Sequence, residues 1–194
     1  MADAGRVIAG SAKGVRLRAP GAGTRPLSDR VKQTLFAILD PDLAGARVLD
    51  LFAGSGAAGI EALSRGAGAA VFVEKDAGAA AVIAANLEAT RLAGPAAEVI
   101  RSDVLAWLGR TGGDRPPFDM VLIDPPYADV EVLRRVLEVL GSADAPLTPN
   151  ARVVAKHFWR DRPPDRIGML AAERDRRFGE SALTFYRREE SPAR

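Results

Sequence analysis

The sequence predicts an α/β protein on a mostly parallel sheet, preceded by a small basic extension, and three observations carry that prediction. Between residues 48 and 156, short apolar runs alternate with helical stretches, the pattern of right-handed βαβ units whose sheet is covered on both faces. The first of these runs leads into a glycine turn, Gly54-Ser55-Gly56-Ala57-Ala58-Gly59, that opens a helix. The net charge of +2 divides unevenly, with residues 1–47 at +4, residues 48–151 at −6 and residues 152–194 at +4. Basic ends around an acidic middle suit a polyanionic partner, because neutralising phosphates releases counterions, although a solvated arginine-rich surface gives the same tally.

A chain of 194 residues, 47% hydrophobic and 27% charged, has the length and balance of one folded domain with a small appendage. No apolar run approaches a membrane span and the start lacks a signal-peptide layout, so a cytoplasmic protein is expected. With no cysteine and one histidine, His157, disulfides, thiol nucleophiles and cysteine-based zinc sites are excluded and no metal is expected. Chemistry here must run on carboxylates, backbone groups or an organic cofactor.

In chain order, Arg6-Val7-Ile8-Ala9 and the alternating Val15-Arg16-Leu17-Arg18-Ala19 predict a hairpin with one basic face. Ser28 is a candidate N-cap for a helix reaching Leu39, with Val31, Leu35, Ile38 and Leu39 as its apolar stripe and Arg30 and Lys32 off it. Strands are expected over 48–52, 70–74, 98–101, 118–123 and 152–156. Helices are expected over 57–65, 77–92, 104–108 and 130–140. The tail, 174–187 with a turn at Gly179, predicts an antiparallel hairpin closing the sheet edge. Residues 161–170, with Pro163-Pro164, carry no readable pattern. The extension is assigned to residues 1–40 and the α/β domain to 41–194.

The chemistry sits at the strand ends. Gly54, Gly56 and Gly59 fit GxGxxG, and with Ser55 they form a turn whose backbone can approach a nucleotide-like ligand at a helix N-terminus. Glu74 ends the second strand, where a carboxylate can accept from both ribose hydroxyls of either NAD or S-adenosylmethionine. Asp103 ends the third, as an acceptor for an adenine amine or as a helix cap. Asp50 lies in an apolar strand, where an uncompensated carboxylate is costly, and a ligand ammonium would explain it. The most telling segment is Asp124-Pro125-Pro126-Tyr127, directly after the fourth strand. Its prolines hold the backbone extended, so that the Asp124 carboxylate and the Pro125 carbonyl can accept both hydrogens of an exocyclic base amine while Tyr127 stacks on the ring. Arg16, Arg18, Arg25, Arg30 and Lys32 are candidate RNA contacts; His157, without a visible triad or metal partner, reads as structural.

Taken together, Thr24-Arg25-Pro26, Asp29-Arg30-Val31-Lys32, Asp50 to Gly56 with Gly59, Glu61 to Ala67, Phe72-Val73-Glu74 and Asp124 to Tyr127 resemble the RsmD family, from Arg6 to about Arg187. The resemblance implies a class I S-adenosylmethionine-dependent methyltransferase (Rossmann-like) fold, with a seven-stranded sheet whose last strand is antiparallel, behind an N-terminal hairpin used for RNA. It implies methylation of a guanine N2 in 16S ribosomal RNA. The cofactor would be S-adenosyl-L-methionine on Gly54, Ser55, Gly56, Gly59, Glu74 and Asp103, and the target base would lie on Asp124 to Tyr127. The expected partner is that RNA, free or in an assembled small subunit, and a monomer is expected. An adenine-N6 methyltransferase, an NAD-dependent oxidoreductase and a non-catalytic RNA-binding assembly factor are the alternatives.

Overall fold

The computed structural model describes residues 3–21, 27–110, 115–126 and 129–189. Two of the expected site residues, Arg25 and Tyr127, lie outside them. The chain divides into two compact units, Met1–Asp103 and Val104–Arg194.

In the first unit a hairpin, β1 (Asp3–Arg6) and β2 (Arg16–Arg18), precedes helix α1 (Asp29–Leu39) and a 3-10 turn at Asp40–Asp42. Then come β3 (Arg47–Leu51), α2 (Ala57–Ser64), β4 (Ala69–Glu74), α3 (Ala77–Thr90) and β5 (Ala97–Arg101). Strand β4 runs parallel to both neighbours, with Asp50 opposite Phe72 and Glu74 opposite Arg101, so all three strands end at one edge. Ser28 caps α1 by accepting from the Val31 N–H. The core is apolar strand residues such as Leu49, Leu51, Phe72 and Val73 against Ile60 of α2 and Ile83 of α3. Each such burial stabilises by about 1.5–3 kcal/mol.

Two expectations for the extension are corrected. The first strand is Asp3–Arg6 rather than Arg6–Ala9, because the backbone N–H groups of Ile8 and Ala9 donate to the buried Glu61 carboxylate, at 2.7 and 3.0 Å, instead of to a strand neighbour. Lys32 is fully buried rather than presented beside Arg30. Its ammonium donates to the Arg6 carbonyl and lies 3.5 Å from Asp29. It therefore holds the hairpin to α1 and offers nothing to a polyanion. Arg16, Arg18 and Arg30 are exposed, with Arg16 paired to Asp3.

The buried Asn86 of α3 joins the hairpin to the glycine turn. Its Oδ1 accepts from the Arg18 N–H, and its amide donates to the carbonyls of Arg18 and Ser55, all at 2.9 Å. Asn86→Ala leaves those backbone groups without their partner, which costs about 2–4 kcal/mol for so connected a group. Thermal unfolding of the variant is expected several degrees below the parent; an unchanged Tm would remove Asn86 from this role.

The second unit contains α4 (Val104–Leu108), β6 (Phe118–Ile123), α5 (Val130–Leu140), β7 (Leu147–Phe158), β8 (Arg166–Ile167), β9 (Leu170–Phe178) and β10 (Ser181–Arg188). Its strands lie in the order β6-β7-β10-β9-β8, with β6 and β7 parallel and the others antiparallel. Helix α5 buries Leu133, Val136, Leu137 and Leu140, and its outer face pairs Arg134 with Glu131 and Glu138. The seven strands expected for the sheet are all present, β3 to β7 with β9 and β10, and the last is antiparallel. The addition is β8, two residues within the stretch that carried no pattern. Among the described residues, no helix is long and apolar enough to cross a membrane.

Candidate active site

At the strand-end edge of the first unit, the turn after β3 begins with Phe52 in the left-handed region (φ 59°), a conformation that a bulky residue adopts only under local constraint. Gly54 and Gly56 follow, also at positive φ. Glu74 organises this turn. Its Oε2 accepts from the Gly54 N–H and its Oε1 from the Asp76 N–H, both at 2.9 Å. Each carboxylate oxygen has two lone pairs, so both keep capacity for a ligand hydroxyl. A Cβ on Gly54 would meet the Phe52 carbonyl at 3.9 Å, an ordinary contact, so the turn is not crowded there. Asp103 follows β5 at this edge and is exposed.

Asp50 and Gly59 are explained from within the fold. The Asp50 carboxylate, 2% exposed, accepts from the Gly59 N–H at 2.9 Å. That N–H belongs to the first turn of α2, where helix donors lack internal partners and negative charge is favoured. The buried charge thus has a structural partner without any ligand. Gly59 is required by packing, since a Cβ there would fall 2.3 Å from the Phe72 ring. Of the GxGxxG residues, Gly54 is uncrowded and Gly59 seats the helix on β4.

In the second unit, Asp124 follows β6 and forms an ion pair with Lys156 of β7, Nζ to Oδ1 at 2.6 Å. Lys156 is 8% exposed, yet the Asp124 side chain keeps 27% of its surface accessible. Burial pushes the Asp124 carboxyl above the ordinary carboxylate value, while the charge and hydrogen bond of Lys156 pull it back. Beside the pair a pocket is lined by Pro125, Pro126, Val130, Leu133, Lys156 and Phe158. Its walls combine these apolar side chains with the charged Lys156, Asp129 and Asp161.

His157 also borders this pocket, but its ring is held by the fold. Nδ1 faces the Phe158 carbonyl at 2.8 Å, which can only accept, so Nδ1 carries a hydrogen. Nε2 lies 2.9 Å from the Thr184 hydroxyl, which is 2.6 Å from Asp175. Thr184 has one proton to give. If it goes to Asp175, Nε2 must also donate and the ring is a cation; if it goes to Nε2, the ring is neutral. Burial draws the His157 pKa below the ordinary value. This chain of hydrogen bonds ties β7, β10 and β9 together, the structural role expected from the sequence.

A family profile described as conserved hypothetical protein 95 matches residues 5–187. YlbH of Bacillus subtilis, provisionally described as an rRNA methyltransferase, is 35% identical over 184 residues, 94% of this chain and 98% of that protein. Ribosomal RNA small subunit methyltransferase D of Escherichia coli is 42% identical over 123 residues, which span 63% of this chain and 60% of the relative. The chain belongs to the RsmD family. A solved structure described provisionally as methyltransferase yhhF of Escherichia coli superposes with a TM-score of 0.83 at 30% identity, covering 95% of this chain and 97% of that one. The fold is accordingly the class I methyltransferase fold expected for an RsmD-family member.

Within this RsmD-family chain the structure brings Asp50, Gly54, Ser55, Gly56, Gly59, Glu74 and Asp103 to one strand edge of the first unit, and in the second unit keeps Asp124, Pro125 and Pro126 together directly after β6. Two residues of the site are not predicted by the sequence. Lys156 left one signal, a lysine in the otherwise apolar run Val153-Val154-Ala155. Asn86 left none, because its partners are backbone atoms 31 and 68 residues away.

Proposed function

We infer that this protein transfers a methyl group from S-adenosyl-L-methionine to the exocyclic N2 of a guanine in 16S ribosomal RNA. The observation that carries this reading is the Asp124–Lys156 pair beside the Pro125-Pro126 pocket, a partly accessible carboxylate next to an extended backbone carbonyl. A base amine is a poor nucleophile because its lone pair is delocalised into the ring. Asp124 and the Pro125 carbonyl accept its two hydrogens, favour a more tetrahedral nitrogen and stabilise the positive charge that grows on it. Pro126, Val130 and Leu133 offer apolar contacts to a base drawn out of the RNA stack, and Tyr127 is assigned to stack on it.

The cofactor residues fit a nucleoside with vicinal hydroxyls. Glu74 has unused lone pairs, Gly54 is uncrowded, and Asp103 offers an acceptor beyond β5. Glu74 would hold the ribose and Asp103 the adenine amine, with Gly54, Ser55 and Gly56 forming the floor; when bound, the sulfonium supplies the electrophilic methyl. The exposed Arg16, Arg18 and Arg30, with Arg25, form the RNA-contacting part of an extension over residues 1–40. We take the protein to act as a monomer in the cytoplasm, on free RNA or on the assembling small subunit. Incubation with small-subunit RNA and methyl-labelled cofactor, followed by nucleoside analysis, tests the reading. Label in N2-methylguanosine supports it; label in N6-methyladenosine or no transfer defeats it.

Glu74→Ala is expected to weaken cofactor binding by about 1–3 kcal/mol, roughly 5- to 150-fold, as charge-assisted hydrogen bonds disappear. Glu74→Gln keeps an acceptor oxygen and should fall between the two. Calorimetric affinity equal to the parent in folded Glu74→Ala would take Glu74 out of the site.

A further inference from the structure

The arginines from Arg152 to Arg187 fall into two sets. Arg152 and Arg187 pair with Glu173, Arg162 with Asp165 and Asp175, and Arg166 with Glu189. Arg160, Arg174, Arg176 and Arg177 are exposed and, among the described residues, form no ion pair with a carboxylate. Three of these four lie on the outer half of β9. Strand β8 pairs only with Leu170 and Ala171, so this half has an open edge.

The fourth, Arg160, meets Arg177 at Trp159. The Arg177 guanidinium carbon lies 3.7 Å from the indole centroid and that of Arg160 lies 4.9 Å away. Phe158 packs against the same indole, with ring centroids 6.3 Å apart. Backbone carbonyls fix the guanidiniums further, Gly179 accepting from Arg177 and Asp175 from Arg176, both at 2.9 Å. Charge alone blunts an exposed strand edge against aggregation, and freely moving side chains would suffice for that. Guanidiniums already ordered on a ring lose less freedom on binding, and their planar N–H forks match phosphate oxygens.

We propose that Arg160 and Arg177, stacked on Trp159, together with Arg174 and Arg176 along the same outer half of β9, form a second RNA-binding surface that grips backbone phosphates of the substrate. This rests on the reading of the protein as an RNA methyltransferase and adds a second grip to that of the N-terminal arginines. Phe158, beside Trp159, also lines the base pocket, so RNA held on this edge lies close to the target nucleotide.

The test measures binding of full-length protein to transcribed 16S ribosomal RNA across a potassium chloride series. The variant Arg174→Ala/Arg176→Ala/Arg177→Ala should bind at least about 10-fold more weakly, with the log-log salt slope reduced by about 2–3, at roughly 0.7–0.9 for each phosphate no longer neutralised. Trp159→Leu keeps every charge but releases the stack, and should weaken binding about 3-fold with little change in slope. Cofactor affinity and thermal midpoint should match the parent for both. Parental slope and affinity in the triple variant would show that these arginines only protect the strand edge, which overturns the proposal and leaves the methyltransferase reading intact. No RNA binding by the parent protein would overturn both.

Discussion

Asp124→Ala is expected to lower kcat for methyl transfer by roughly 100-fold or more, the loss typical of a preorganised electrostatic group, with cofactor affinity nearly unchanged. In the proposed reaction the carboxylate meets the reacting nitrogen, and its stabilisation grows as positive charge develops there, so the effect belongs to the transition state. Lys156 stands 2.6 Å away, and removing its partner leaves a buried ammonium, so folding of the variant needs a melting curve. Asp124→Asn separates the contributions, since it keeps an oxygen acceptor and the side-chain shape but lacks the charge. Its rate should lie between those of the parent and Asp124→Ala. Single-turnover transfer at saturating RNA and cofactor isolates the chemical step. A parental rate in folded Asp124→Ala would make the amine pocket wrong.

Lys156→Met should produce the second largest loss, about 10-fold near neutral pH, through a different route. Asp124 acts only when ionised, and burial already raises its pKa against the opposing pull of Lys156. Without the ammonium the carboxyl rises further. A carboxylate with a raised pKa loses its charge as pH falls through that higher value, so the acid limb of the rate profile should move to higher pH, and raising the pH should recover part of the rate. Asp129, Asp161 and His157 also line this pocket and remain unchanged in the variant, so the displacement reports on the Lys156 pair. Lys156→Arg restores a cation and should return the limb toward its original position. A profile of parental shape, merely scaled down, would assign Lys156 to packing alone.

The parts of the fold that were legible share a physical origin. Helix α5 and strand β6 fall at their expected bounds because apolar spacing of 3.6 or a short apolar run reports directly on which face is covered. Ser28 was readable as a cap because its partner, the Val31 N–H, is three residues away. Strand β7 runs from Leu147 to Phe158, well beyond the expected 152–156, because its polar first half borrows order from its neighbours. The displaced β1 follows from Glu61, a helix residue that satisfies the backbone of Ile8 and Ala9, at sequence separations of 53 and 52.

From the sequence alone came the α/β class, the glycine turn at a strand end, the acids that close two neighbouring strands, and the Asp124-Pro125-Pro126 segment. All of these depend on residues adjacent in the chain or on the rule that parallel strands end at one edge. Only the tertiary structure decided the use of the charges. It buried Lys32 under the hairpin and gave Asp50 a helix N–H. It set Lys156 against Asp124, and paired Arg152, Arg162, Arg166 and Arg187 with carboxylates while Arg160, Arg174, Arg176 and Arg177 form no ion pair among the described residues. The field at a charged group is set by what comes within a few ångströms of it, and for Lys32 under Arg6 and Lys156 beside Asp124 that neighbour lies 26 and 32 positions away in the chain.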